Sequence, residues 1–388
     1  MAMYFADDKD VRDLLETSKK KLTAEVLREF LLRRGMLVSI EATKSELFDQ
    51  ISMWTLDWEE LQWLLDKTAR SDRSERYTSA LVPGKFSAPE VRKAIDALKQ
   101  SPCGMKLDSI NATQTLAGTI AVTVTYSELD PAKTRLRQKR VRDGSLTLEV
   151  NGDAVTLRHE ANERMGAVAE DLIKALSSVK GEDVTTRKIE LTHLTNLESR
   201  TQFFLTLIKE VKGISLSDVS KVQVERSLSP ADMPNSLSFE KDDGDNLMQE
   251  DEQLELVGNQ VRGAILRGVS LLTSPEFQML KKGFFLCGME WMGQEAGEKG
   301  RLVQFEAAFE DPQACSGFRY KVKGVIERKK TGDGEEFVKT SRSCTELENL
   351  HFVQLLEDAS RGALDAVEKN STANAAAHDQ EPPVEEDA

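Results

Sequence analysis

The chain has 388 residues, 39% hydrophobic and 30% charged, with a net charge of −14, which reads as soluble, globular and long enough for two or three buried cores. No apolar run approaches the roughly 18 residues that cross a bilayer, and the opening "MAMYFADDKD" lacks the basic-then-apolar pattern of a signal peptide, so no membrane partner is expected. Residues 240–255 hold −7 and the last ten residues −5, which leaves −2 for everything else; basic patches on the folded parts are therefore compatible with the acidic total.

The first predicted elements are helical. In "LTAEVLREFLLRRG", Leu22, Val26, Leu27, Phe30 and Leu31 recur at three- and four-residue spacing, with Thr23 as N-cap and Gly35 as terminator. After a connector, Thr43 or Ser45 caps a second helix bearing Leu47, Phe48 and Ile51. A third, "TLDWEELQWLLDK", carries Leu56, Leu61, Leu64 and Leu65; Trp54, Trp58 and Trp63 are expected to serve helix packing. A break is expected near 79–90, "SALVPGKFSAPE".

The middle of the chain changes period. "GTIAVTVTYSEL" (118–129) alternates as a strand, and "KTRLRQKRVR" (133–142) holds six cations and no acid. Read as a strand, it sets Lys133, Arg135, Arg137 and Lys139 on one face, with Arg140 and Arg142 beyond. "SLTLEVNGDAVTLRHE" is a hairpin signature turning at Asn151-Gly152. A helix follows with the stripe Met165, Val168, Ala169, Leu172 and Leu176, then strand "TRKIELTHL", helix "NLESRTQFFLTLIKEVKG" and strand "KVQVER".

Pro230, Pro234, Gly244 and the acid run mark a linker over 229–252. Beyond it the segments "VRGAILRGVSLL", "SPEFQMLKKG", "FFLCGMEWMG", "GRLVQFEAAFED", "GFRYKVKGVIERKK", "EEFVKT" and "TELENLHFVQLLEDASRGALDAVEK" read β-α-β-β-β-β-α. The expected class is α+β multi-domain: a small helical domain over 1–82, antiparallel-sheet-plus-helix domains over 85–228 and 253–369, and a disordered acidic tail over 370–388. The order of the last domain resembles the TATA-binding-protein-like or helix-grip arrangement.

A second resemblance covers residues 22–52. A helix ending in Arg33, Arg34 and Gly35, an extended connector, then Lys44, Glu46 and Leu47 opening the next helix, resembles the SAP family of helix–extended–helix modules and the N-terminal module of the Rho terminator family. That resemblance implies DNA contact, with the second helix start and Lys44 facing backbone phosphates. Physical chemistry agrees: a helix N-terminus offers free N–H groups and a positive dipole end, and Arg28, Arg33, Arg34 and Lys44 can neutralise phosphates without reading sequence. The basic run 133–142 is the second expected contact; its alternatives are a solvated arm and a clamp by the acid run 240–255.

Little else signals chemistry. Four dispersed histidines, no phosphate loop and no nucleophile elbow give no catalytic motif, cofactor or metal set; Glu190, Glu290 and Glu306 are the acids on which a metal-dependent nuclease could be built. Cys103, Cys287, Cys315 and Cys344 lack paired spacing, which suits a reducing, cytoplasmic setting. The expectation is a non-enzymatic DNA-binding protein, a component of a larger DNA-handling system, contacting duplex with weak sequence preference and a protein partner through its C-terminal domain. The alternatives are a protein–protein scaffold or regulatory subunit, and a nuclease.

Overall fold

The computed structural model describes residues 6–68, 75–101, 103–114, 119–226, 255–257, 260–280, 283–297, 300–331, 334–338 and 340–378. The acidic run 240–255 therefore lies, but for its last residue, outside the described residues, and so does Asp379–Ala388. The chain opens with four helices, α1 (Asp8–Thr17), α2 (Ala24–Arg33), α3 (Lys44–Ser52) and α4 (Trp58–Thr68). Leu14, Leu15, Leu27, Phe30, Leu31, Leu47, Phe48, Ile51 and Leu64 make their common core. Helix α1 is not among the expected elements. Its signal is a capping box in which Asp7 accepts from the Asp10 N–H at 2.7 Å and Asp10 answers Asp7.

Next come β1 (Tyr77–Pro83), α5 (Ala88–Leu98), β2 (Ser109–Gln114), β3 (Thr119–Leu129), β4 (Lys139–Asn151), β5 (Ala154–Glu160) and α6 (Glu163–Lys180). The β4–β5 hairpin turns through Gly152 at φ +56°, with Asn151 opposite Ala154, as the Asn-Gly pair predicts. All five residues of the expected α6 stripe are buried. The break expected at 79–90 is a strand and a helix start instead. The run "SALVP" carries β1 into the sheet interior, and Pro83 closes it where no further N–H is needed.

The remainder is β6 (Arg187–Lys188), α7 (Leu197–Glu210), β7 (Ile214–Arg226), β8 (Glu255–Val257), β9 (Gln260–Arg267), α8 (Pro275–Leu280), β10 (Phe284–Glu295), β11 (Leu302–Asp311), β12 (Ser316–Ile326), β13 (Arg328–Thr331), β14 (Gly334–Phe337) and α9 (Glu346–His378). Of the expected strand 186–194 only β6 forms. Strand β14, expected in the main sheet, pairs only with β13 in a separate ribbon. Helix α9 runs through the alanine-rich "TANAAAH", nine residues into the segment expected to be disordered; alanine is the best helix former.

One antiparallel sheet runs β2-β3-β4-β5-β1-β12-β11-β10-β7-β9-β8, with β6 on the flank of β1. Residues 189–226 bury their apolar side chains in the same core as 271–367, so α7 and β7 belong to the C-terminal half of the sheet. The two halves are covered on opposite faces. In the N-terminal half Val82, Val155 and Leu157 face α5 and α6. Their strand neighbours Ser79 and Arg158 point the other way and meet α9. In the C-terminal half Phe305, Phe318, Tyr320 and Val322 face α7 and α9, while Glu290, Glu306 and Lys321 occupy the open face.

The halves are joined at β1 and β12, whose registered pair is Tyr77 and Tyr320. Side chains reinforce the joint. The buried Glu357 carboxylate of α9 accepts from Arg158 Nε at 2.6 Å, the Tyr320 hydroxyl at 3.2 Å and Arg361 at 2.8 Å. Asn349 reaches the Tyr77 hydroxyl, Gln354 reaches Glu149, and Asp365 and Glu368 hold Arg187. Removing one partner of a buried pair leaves the other charge uncompensated, at a cost of about 3–5 kcal/mol. We predict that Glu357→Ala lowers stability by about that amount in urea denaturation, against about 1 kcal/mol for Tyr320→Phe, which deletes one hydrogen bond. Equal effects from the two variants would show that Arg158 finds water or another partner.

Candidate nucleic-acid interface

The hairpin is built by local rules. Thr23 Oγ1 accepts the Val26 N–H at 3.3 Å to start α2, and Gly35 at φ +76° turns the chain out of it. The connector then lies back along α2, held by Arg28, whose guanidinium donates to the carbonyls of Ile40 and, at 3.3 Å, Ala42. Thr43 opens α3 in a capping box: its N–H donates to Glu46 at 2.8 Å, and its hydroxyl accepts the Glu46 N–H at 3.3 Å. These bonds from Thr43, the backbone one foremost, hold the Glu46 carboxyl below the ordinary range.

The cations singled out in this hairpin are mostly engaged by the fold. Arg28 ties down the connector. Arg33 pairs with Glu29 at 2.9 Å and lies over the Trp63 ring at 4.9 Å. Arg34 grips Glu60 at 2.7 Å and the Thr55 carbonyl at 2.6 Å. Lys44, the first residue of α3, places Nζ 3.4 Å from the Lys19 carbonyl. That approach brings the α1–α2 turn, with exposed Lys19 and Lys20, to the start of α3. Sequence reasoning passed over these lysines; the signal is the run Lys19-Lys20-Lys21 just before the Thr23 cap.

The basic run is not one strand. Asp130 accepts the Ala132 N–H at 3.0 Å, Pro131 follows it, and residues 135–137 form a single 3-10 turn; β4 starts only at Lys139. Lys133 pairs with Asp130 at 3.6 Å. Arg135 reaches Asp10 of α1 at 3.1 Å, and Leu136 packs into the helical core. Arg137 ends the turn, Lys139 is exposed opposite Leu129, and Arg140 sits opposite Glu128 in register. Arg142 pairs with Glu75 at 3.1 Å and Glu128 at 2.9 Å. The single strand expected over 133–142 does not form, and Arg135, Leu136 and Arg142 brace the helical domain against the sheet.

The tryptophans divide. Trp63 stacks on Phe30 with ring centroids 5.5 Å apart, as packing requires, but Trp54 and Trp58 are about half exposed. The acids considered for metal are Cα partners across β10 and β11, and each is already satisfied: Glu290 by Lys221 and Lys323, Glu306 by Arg76 and Lys321. Burial works to raise the Glu306 pKa, yet the charges of Arg76 and Lys321 hold it below the ordinary range. Glu190 lies outside these strands, on the loop after β6. Among the described residues no group of three or more His, Cys, Asp or Glu is placed to hold a metal ion. Burial lowers the His159 pKa, and its ring meets the Glu160 carbonyl at 2.8 Å.

A different carboxyl cluster lies where the helical domain joins the sheet. Glu75 receives Arg142 and, at 3.1 Å, the Asn162 amide; its neighbour Glu160 accepts the N–H and hydroxyl of Ser145, each at 3.0 Å, and shares a hydrogen bond with Glu75. Burial first, and then the charge of Glu75, push the Glu160 pKa up to about 7. The folded chain therefore holds this proton more tightly than the unfolded chain. Its contribution to stability is full in acid and is lost as pH rises from the ordinary glutamate range to about 7. We predict that Glu160→Gln flattens the fall in denaturation midpoint between pH 5 and pH 8; a fall as steep as in the native chain would mean the two carboxyls are separated in solution. Neither a protein-family model nor a curated protein matches this chain.

Proposed function

We propose that this chain binds the phosphate backbone of duplex DNA without acting chemically on it, as a component of a larger DNA-handling assembly. The observation that carries the reading is the approach of Lys44 to the Lys19 carbonyl. It gathers Lys19, Lys20 and Lys44 beside the start of α3. A helix start with a cluster of lysines suits a phosphate, positions the protein and reads no base.

The likeness of residues 22–52 to the SAP and Rho N-terminal modules supports the same reading, since helix, extended connector and capped helix follow in the expected order. The likeness to the TATA-binding-protein arrangement rests on element order alone and adds no site. Within the reading, Arg33, Lys133, Arg135 and Lys139 are the further cations of the expected set with exposed side chains. Arg135 and Arg142 are assigned to holding the helical domain in place. Four free thiols accord with a cytoplasmic setting.

The test is a mobility-shift series over salt with the full chain and unrelated duplexes. Replacing Lys19, Lys20 and Lys44 by glutamate should weaken binding to every duplex alike and lower the salt slope by about 0.9 for each phosphate no longer neutralised. Unchanged affinity and slope would remove the helical domain from the binding account. Degradation of the duplex when Mg²⁺ is added would favour the nuclease alternative.

A further inference from the structure

The end of the helical domain opposite Lys44 is apolar. Large apolar side chains are exposed there: Leu32 near the end of α2, Met53 at 80% and Trp54 at 50% just past α3, and Trp58 at 55% opening α4. Helices α2 and α3 are joined by a connector that runs back along α2, so both helices end at the same side. Arg34 at the end of α2 proves this closeness, with its guanidinium 5.9 Å from the Trp54 ring and bonded to the Thr55 carbonyl. Leu27, Phe30, Leu31, Phe48 and Leu64 fill the core, and Trp63 alone of the three tryptophans packs on Phe30.

The surroundings specify the occupant. The segment 53–66, "MWTLDWEELQWLLD", holds Asp57, Glu59, Glu60 and Asp66 and no lysine or arginine. Glu60 is taken by Arg34, while Asp57 and Glu59 are exposed between and beside the two tryptophans. Two half-exposed tryptophans four residues apart, with aliphatic neighbours, have the composition of residues that dominate binding energy at protein interfaces. A negative rim around them disfavours a phosphate backbone and favours a cationic partner.

We propose that this patch docks an amphipathic helix of a partner protein, with an apolar face set on Trp54 and Trp58 and flanking lysines or arginines set against Asp57 and Glu59. Helix-in-groove recognition lays apolar anchors, spaced three and four residues apart on the docked helix, onto an apolar surface of this kind. The chain then has two working ends on one small domain, lysines for phosphate and tryptophans for protein.

The test uses the full chain and a labelled 18-residue peptide of leucine and lysine with leucines at helical spacing, read by fluorescence anisotropy. A peptide of the same composition with leucine and lysine in strict alternation, and a leucine–glutamate peptide at helical spacing, are the controls. The helical cationic peptide should bind at least tenfold tighter than either control. Trp54→Ala with Trp58→Ala should weaken it at least tenfold and leave duplex DNA affinity unchanged. Glu59→Lys, which spares the aromatic rings and the Asp57 carboxylate that accepts the Glu60 N–H at the start of α4, should weaken it too and reduce its salt dependence. Equal binding of the alternating peptide, or unchanged binding in both variants, would overturn the proposal. So would concentration-dependent self-association that disappears in the tryptophan variant, because the occupant would then be a second copy. A fall in DNA affinity in that variant would also overturn it by making the patch a nucleic-acid contact.

Discussion

The carboxylate of Glu357 is the point on which the two halves of the sheet agree. Backbone pairing between β1 and β12 is registered at a single position, Tyr77 opposite Tyr320. One such pair cannot fix how two half-sheets sit together. Helix α9 does so with a double stripe. Phe352, Val353, Leu356, Ala363 and Val367 bury against the C-terminal core, while Asn349, Gln354, Glu357, Arg361 and Asp365 reach the N-terminal half about once per turn. Burying Glu357 and Arg158 costs desolvation that their attraction roughly offsets, so the pair adds little net stability. Its effect is selective, because any other seating of α9 strands a charge out of water.

Much of the fold is legible in local patterns. The Asn151-Gly152 hairpin, the α6 stripe and the Thr23 and Thr43 caps each follow from interactions within a few residues. What fails is decided by distant partners. Strand β1 reads as a break because Pro83 ends it and Gly84 follows, yet it becomes a central strand because β5 supplies seven paired residues more than 70 positions later. Residues 133–142 read as a strand because cations alternate with other residues. Asp130-Pro131 breaks that strand, and Asp10 and Glu75 then claim its arginines from 125 and 67 positions away.

The candidate interface shows the same division. Counting cations finds Arg28, Arg33 and Arg34, but it cannot find Ile40, Ala42, Glu60 and Thr55, the groups that absorb them. Lys19 and Lys20 stand in the sequence as part of a lysine run and gain meaning only when Lys44 comes to rest on the Lys19 carbonyl. A basic residue near an acid in the folded chain is often structural. The informative quantity is therefore the positive charge left after internal pairing, which only a fold provides.

Covering the two halves of the sheet on opposite faces has a consequence for how the chain is made. By the time residue 180 has left the ribosome, β1, β5, α5 and α6 can close the core around Val82, Val155 and Leu157. The second face of those same strands must wait for α9, some 170 residues later in synthesis. That face carries Ser79, Thr147, Glu149, Thr156 and Arg158, groups that water satisfies. A nascent chain paused at this stage therefore shows solvent a polar surface in place of a sticky one, and the half-finished sheet can persist without inviting association. Desolvation is deferred to the moment α9 docks, when Arg158 gives up its water and Glu357 arrives to replace it.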